Sequence, residues 1–248
     1  MIPFKKMTTT HSSAPPPLEG QLNSAERNLI LDIVTRLLPE KPVCLEVGTY
    51  KGGGSTLHIL KALSRGDGIL FGIEASKKIY QEMKASLLFH QPDLCRRFIP
   101  LCGYSQQVIP SLVNSGRLQK VNFAFLDGGN NPCEQIEEFF ILDPLMPIGS
   151  VLMSHDAFLR KGKFLRRILP LLDHWKTEIL PISTEGVLVA WKVASQPANT
   201  FNARLVLFLC RLTPLEAAAK LTPQWFRSSL FRVLPHKLAA WIADGRSF

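Results

Sequence analysis

Between residues 43 and 155, short apolar runs alternate with stretches in which apolar side chains recur every three or four positions. The runs at 43–48, 69–74, 97–102, 121–126 and 150–155 are near-continuous in Val, Ile, Leu and Phe, the pattern of strands buried on both faces. The stretches at about 55–64, 76–90, 105–115, 132–142 and 159–173 carry helical periodicity. Upstream, Ser24 is expected to cap a helix whose apolar face holds Leu29, Ile30, Ile33, Val34, Leu37 and Leu38, and which Pro39 and Pro42 stop. The alternation ends after Trp175. Thr177–Thr184 and Val187–Val193 read as strands joined by Glu185-Gly186, too short a connection for a crossover helix, so a hairpin is expected. The implied fold is α/β: a three-layer sandwich on a mostly parallel seven-stranded sheet that ends in an antiparallel hairpin.

The two ends of the chain read differently. Residues 1–23 are rich in Thr, Ser and Pro and are expected to form a flexible arm. Residues 24–193 form the α/β domain, and 194–248 a basic helical appendage with start signals at Thr213-Pro214-Leu215-Glu216, Thr222-Pro223 and Pro235. Charge follows the same division: residues 1–157 balance 15 Lys and Arg against 15 Asp and Glu, whereas 158–248 carry 14 against 5. The whole net charge of +9 therefore comes from the last third. There, Leu205–Cys210 before Arg211, and Trp225-Phe226-Arg227 with Leu230-Phe231-Arg232, interleave large apolar side chains with arginines. Two readings stay open for that segment: packing on the domain or on a second subunit of a homodimer, or peripheral contact with a membrane or other anionic partner. Five cysteines without C-x-x-C spacing read as buried thiols in a reducing compartment, and no apolar leader or membrane-length run is found. A cytoplasmic protein is expected.

Candidate chemistry concentrates at one strand-to-helix turn. Glu46-Val47-Gly48-Thr49-Tyr50-Lys51-Gly52-Gly53-Gly54-Ser55 follows the first strand, and its glycines allow a tight turn and close backbone approach to a ligand. The second strand ends in Glu74, 26 residues after Gly48, where a carboxylate can accept from both hydroxyls of a ribose. The spacing is not G-x-G-x-x-G and no Gly-Lys-Ser/Thr is present, which disfavours a dinucleotide or P-loop site. A nucleoside-cofactor site is expected.

These residues resemble the class I S-adenosylmethionine-dependent methyltransferases, a Rossmann-like group, nearest in pattern to the catechol O-methyltransferase-like O-methyltransferases. The likeness covers about residues 22–193. Leu45-Glu46-Val47-Gly48-Thr49-Tyr50-Lys51-Gly52-Gly53-Gly54-Ser55 is similar to that family's first-strand motif, with an extra glycine. Gly103-Tyr104-Ser105-Gln106-Gln107-Val108-Ile109-Pro110 resembles its adenine-contacting stretch, and Asp127 and Asp156 match its aspartates after strands four and five. The resemblance implies S-adenosyl-L-methionine as cofactor, held by Glu46, Gly48, Tyr50, Gly52, Ser55, Glu74, Tyr104, Ser105, Gln106 and Asp127. Backbone N–H groups of Gly48–Gly52 are expected to hold the methionine carboxylate, and Glu46 to accept from the cofactor amino group. Ser105 can read adenine or cap its helix.

The resemblance also implies Mg²⁺ or another divalent cation on Asp127 and Asp156, with a lysine as base. Here the third-ligand position is Ala157 and the lysine position is Asn130. Two readings follow. Either Asp127 and Asp156, with His155, Asn130 or Asn131, still bind a cation, or no metal binds and His155 or Asp156 is the base. His155 as a strand-end residue held by a hydrogen bond is the plain alternative. Glu134, Glu137 and Glu138 read as a solvent face, with Glu134 near enough to Asp127 to face the pocket. The expected activity is transfer of a methyl group to an oxygen of a small-molecule acceptor such as a sugar or natural-product intermediate. RNA methylation and a catalytically inactive cofactor-binding scaffold are the rivals; nucleic acid is not favoured, because no aromatic and basic single-strand platform is evident.

Overall fold

The computed structural model describes residues 18–196. The readings made for residues 1–17 and 197–248, including the basic helices, the homodimer and the membrane contact, lie outside the described residues.

Seven strands form one sheet in the order β3-β2-β1-β4-β5-β7-β6. β1 (Val43–Val47), β2 (Ile69–Glu74), β3 (Phe98–Cys102), β4 (Phe123–Leu126) and β5 (Val151–Ser154) are parallel, and β7 (Val187–Lys192) runs antiparallel between β5 and β6 (Trp175–Leu180). This is the expected architecture. Alternate residues of each central strand point to opposite faces, so the sheet has a core on each side. Leu45, Val47, Phe71 and Ile73 pack under α4 (Ser105–Asn114), α5 (Pro132–Leu142) and α6 (Lys163–Ile168). Cys44, Leu70, Phe123 and Phe125 pack under α1 (Ser24–Asp32), α2 (Ser55–Leu63) and α3 (Lys77–His90). Both faces of the strands are therefore apolar, which is why their sequences read as unbroken runs rather than alternations.

Several local expectations change. Asn23, not Ser24, caps α1: its side chain accepts from the Glu26 N–H while Glu26 reaches back to the Asn23 N–H, a reciprocal box. Residues 159–173 do not form one long helix. α6 has six residues and runs into a 3₁₀ turn at Leu169–Leu171, because Pro170 cannot donate to a continuing α-helical ladder. The hairpin strands are separated by residues 181–186 rather than by Glu185-Gly186 alone. Pro181 supplies no N–H to extend the ladder there. Cys44 is buried, but Cys95 and Cys133 are half-buried and Cys102 is exposed. Among the described residues no helix is long and apolar enough to cross a membrane.

Candidate active site

The parallel strands end at one edge of the sheet, and β1 and β4 are neighbours there although their crossovers leave in opposite directions. Such a reversal leaves a crevice beyond the strand ends. Two cavities occupy it. The first, about 240 Å³, lies against Gly48, Tyr50, Glu74, Tyr104, Ser105 and Gln106. The second, about 440 Å³, lies against Asn130, His155, Asp156, Lys161, Ser183 and Glu185. Gln21, Asp127 and Gly129 line both, so the end of β4 is their junction.

In the first cavity, Gly48 adopts φ +89, and a Cβ there would sit 2.7 Å from the Asp127 carbonyl oxygen. Glycine thus lets the ends of β1 and β4 converge. The rest of the glycine run does something unexpected. A Cβ on Gly53 would meet the Glu19 carbonyl at 2.6 Å, and Gly54 packs on Gly20. Gly53 and Gly54 therefore receive the segment 18–20, which is pinned by Gly53 N–H on Glu19 O (2.8 Å) and by the Lys51–Glu19 ion pair (2.8 Å). The extra glycine serves that segment and not a ligand.

The loop amides are also committed elsewhere. Gly48 and Thr49 donate to Ile73 O, Tyr50 to Glu74 Oε2, and Gly52 to Thr49 O. Four of the five amides expected to cradle a carboxylate, those of Gly48, Thr49, Tyr50 and Gly52, are thus bonded within the protein. Glu46 and Ser55 lie beneath the loop and bond to each other, and Thr56 Oγ1 donates to the second Glu46 oxygen at 2.7 Å. Glu46 is fully buried, and burial is the main reason its carboxyl is raised to about 7. Neither residue lines the cavity; they anchor the start of α2. Glu74, by contrast, accepts from the N–H groups of Tyr50 (3.0 Å) and Ser76 (2.9 Å) and faces the cavity beside Ile73.

At the far wall, Ser105 does not cap α4. Its hydroxyl donates to Glu138 Oε1 at 2.5 Å, while Glu138 Oε2 is buried without a partner. Glu138 is 1% exposed and lines the cavity, so the solvent-face reading fails for it, while Glu134 lines the same cavity as its nearness to Asp127 suggested. Burial raises the Glu138 carboxyl to about 8 although the Ser105 bond opposes it, and the charge of Glu134 adds to the rise. Gln106 lines the same wall, and the Tyr104 ring stands 63% exposed beside the opening.

In the second cavity the charges are interlocked. Lys161 Nζ lies 2.7 Å from Asp127 Oδ1, 2.6 Å from Asp156 Oδ2 and 3.2 Å from the Asp127 carbonyl. His155 places Nδ1 3.0 Å from Asp156 Oδ1 and 3.4 Å from Asp127 Oδ1, with Nε2 3.0 Å from Glu26 Oε1. Burial would lower the imidazole pKa, but the bonds to and charges of Asp127 and Asp156 outweigh it and raise it to about 10. Burial would raise Asp156, yet His155 and Lys161 hold it at about 2. For Lys161, burial opposes the charged form, and Asp127 and Asp156 overcome it to raise the ammonium pKa.

The backbone is shaped to this cluster. Asp156 has φ +60, rare for a residue with a side chain. Ala157 and Phe158 then donate to Gly186 O and Glu185 O at 3.0 and 2.8 Å, tying the loop to the hairpin. A Cβ on Gly162 would sit 2.5 Å from Asp156 O, so glycine lets the loop fold back and bring Lys161 over the carboxylates. Asn131 is spent as the cap of α5.

Donor atoms of Asp127, His155 and Asp156 lie within 4.8 Å of one another, close enough in principle for a metal ion. The donor set as it stands does not fit a divalent cation. The Lys161 ammonium sits on both carboxylates, and the side chain of Ala157 supplies no oxygen. The first cavity, by contrast, suits an adenosyl group: Glu74 has unused lone pairs toward a ribose, and Glu138 Oε2 awaits a polar partner.

Four residues at the site were not read from the sequence as its members. Glu26 was legible in principle, since Asn23-x-x-Glu26 is a capping-box spacing, but its second role needs the tertiary fold. Glu138 lies four residues beyond Glu134, one helical turn on the same face. Lys161 and Gln21 carry no local signal.

Residues 45–157 match a family model described as a methyltransferase domain. No curated protein matches the chain in sequence. Among solved structures, the chain is similar to a protein of Klebsiella pneumoniae provisionally described as an O-methyltransferase (TM-score 0.60, 18% identity, 70% of this chain and 82% of that one). It is also similar to an O-methyltransferase of Bacillus cereus in complex with SAH (0.58, 17%, 72% and 84%). A third is an SAH-bound methyltransferase of Podospora anserina (0.55, 14%, 69% and 80%). At these identities the likeness is one of fold.

Proposed function

We propose that the methyltransferase domain carried by residues 45–157 uses S-adenosyl-L-methionine, held in the first cavity, to methylate a hydroxyl oxygen of a small polar acceptor held in the second. The observation that carries this reading is the position of Asp127, which lines both cavities and so stands where donor and acceptor must meet. Glu74 is assigned to the ribose; Tyr104, Ser105, Gln106 and Glu138 to the adenine. Tyr50 and Gly48 line the same cavity, Gly48 against the Asp127 backbone.

The cofactor supplies an electrophilic methyl on a sulfonium: the acceptor oxygen bonds to that carbon, the carbon–sulfur bond breaks with its electron pair going to sulfur, and the acceptor proton leaves. What the chain must do is align the oxygen and receive that proton. Asp127 is the carboxylate placed for both. A strong base is not required, since a hydroxyl proton becomes very acidic once the oxygen has begun to bond to carbon. His155, whose pKa Asp127 and Asp156 raise to about 10, is a poor proton acceptor near neutral pH; of the three roles read for it, as metal ligand, as base or as a hydrogen-bonded strand-end residue, the last is the one we assign. The acceptor cavity is bordered by Gln21, Asn23, Asn130, Ser183 and Glu185, a wall of hydrogen-bonding groups that suits a sugar-like polyol better than an apolar ring.

A labelled-methyl assay over a panel of sugars, polyols and simple phenols tests this. Label should pass to a hydroxyl of the polar acceptors, and Asp127→Ala should slow transfer by roughly 10²-fold. Label confined to apolar phenols, or an Asp127→Ala rate equal to the parent, would remove the assignment.

A further inference from the structure

We propose that Lys161 is a built-in cation that replaces a divalent metal ion between Asp127 and Asp156, so that this chain works without one. The inference rests on the methyl-transfer reading for its consequence, but its geometry stands apart from it.

The ammonium is shaped into the position a metal would need. Its three N–H bonds have three acceptors within reach: Asp127 Oδ1, the Asp127 carbonyl and Asp156 Oδ2. A lysine ammonium has three donors, so the valence is filled. Its side chain is 8% exposed, which a lysine tolerates only when paired. The surrounding backbone is committed to this placement through the φ of Asp156, the close approach of Gly162 and the two bonds from Ala157 and Phe158 to the hairpin.

Charge balance leads to the same conclusion. Asp127 and Asp156 bring two carboxylates to one point, and the Lys161 ammonium lies between them. A dication added to that set would lie beside the Lys161 ammonium, and like charges at such range repel. Once the ammonium is removed, the two carboxylates keep only the His155 ring beside them, and a carboxylate pair short of positive charge is the condition a hard cation relieves. Because all three donors are used on the protein, Lys161 acts through the carboxylates. It is a positioning residue: it fixes the Asp127 carboxylate at the junction of the cavities.

The test uses Mn²⁺ alone as probe, on the full chain, by electron paramagnetic resonance and calorimetry at pH 7.5. Lys161→Ala and Lys161→Met are compared with the parent, the methionine variant preserving the packed stem. The parent should bind Mn²⁺ at least about tenfold more weakly than either variant. Parent methyl transfer should be unchanged by a chelator; variant transfer should fall and be restored, at least in part, by Mg²⁺. Equal Mn²⁺ affinity in parent and folded variants would overturn the proposal, and so would loss of parent turnover on chelation. S-Adenosylhomocysteine binding is measured in parallel: its absence would sink the methyl-transfer reading while the Mn²⁺ comparison still decides the role of Lys161.

Discussion

Nε2 of His155 lies 3.0 Å from Oε1 of Glu26, joining the end of β5 to the first turn of α1 across 129 residues of sequence. The other Glu26 oxygen closes the capping box on Asn23, and Asn23 Nδ2 donates to Ile182 O at 2.9 Å. One buried carboxylate thus starts α1 and seats that helix against both β5 and the loop before β7. The wall of the acceptor cavity depends on this seat.

Removal of the Glu26 carboxylate leaves the His155 cation short of a partner and opens the capping box. Glu26→Ala should cost about 3–5 kcal/mol, the range for breaking a buried pair, read as a lowered urea midpoint. Glu26→Gln should cost less, because an amide oxygen can still accept from Nε2.

The sign of the pH dependence follows from the same imidazole. Its folded pKa, about 10, exceeds the ordinary value of 6.5, so its contribution to stability is complete below about pH 6.5 and is lost as pH rises toward 10. Thermal unfolding midpoints should therefore fall from pH 7 to pH 10, and His155→Ala should flatten that slope. A parent midpoint that rises over this interval would contradict the charged network.

Glu138 makes a separate prediction. With its carboxyl raised to about 8, chiefly by burial, it is neutral at pH 7 and can donate from Oε2 to a ring nitrogen of adenine. S-Adenosylhomocysteine should bind more weakly above pH 8 than at pH 7. Glu138→Gln should bind nearly as well as the parent at pH 7 and lose that pH dependence. Glu138→Ala should weaken binding about tenfold, the scale of one buried hydrogen bond.

The large pieces of this molecule were legible in its sequence for physical reasons. Strands covered on both faces must be apolar throughout, so β1 to β5 stood out as runs, and the short gap before β7 left only a hairpin. Glu74 was placed by its position at the end of β2. What stayed hidden depends on side chains meeting from distant segments. Gly53 and Gly54 looked like ligand glycines because nothing local announces that residues 18–20 return to lie on them. Lys161 carries no local signal, because the resemblance puts a lysine three residues after Asp127, whereas the cation arrives from the loop after β5.

Gly48 offers a contrast between a structural and a ligand glycine. Its φ of +89 and the approach of Asp127 O allow no side chain, and the obstacle is backbone. Gly48→Ala should destabilise the fold by roughly 2 kcal/mol or more in urea titration, as strained positions do. Tyr104→Ala, at an exposed ring, should leave that midpoint unchanged while weakening S-adenosylhomocysteine binding several-fold.

The most direct measurement is calorimetric titration of S-adenosylhomocysteine into the folded chain and into Glu74→Ala, with circular dichroism confirming that both are folded. Saturable one-to-one binding by the parent, weakened by roughly 10²-fold in the variant through loss of charge-assisted hydrogen bonds to the ribose, is the expected result. Folded parent protein that gives no heat, or a variant that binds as tightly as the parent, would show that the crevice between β1 and β4 is not an adenosyl site.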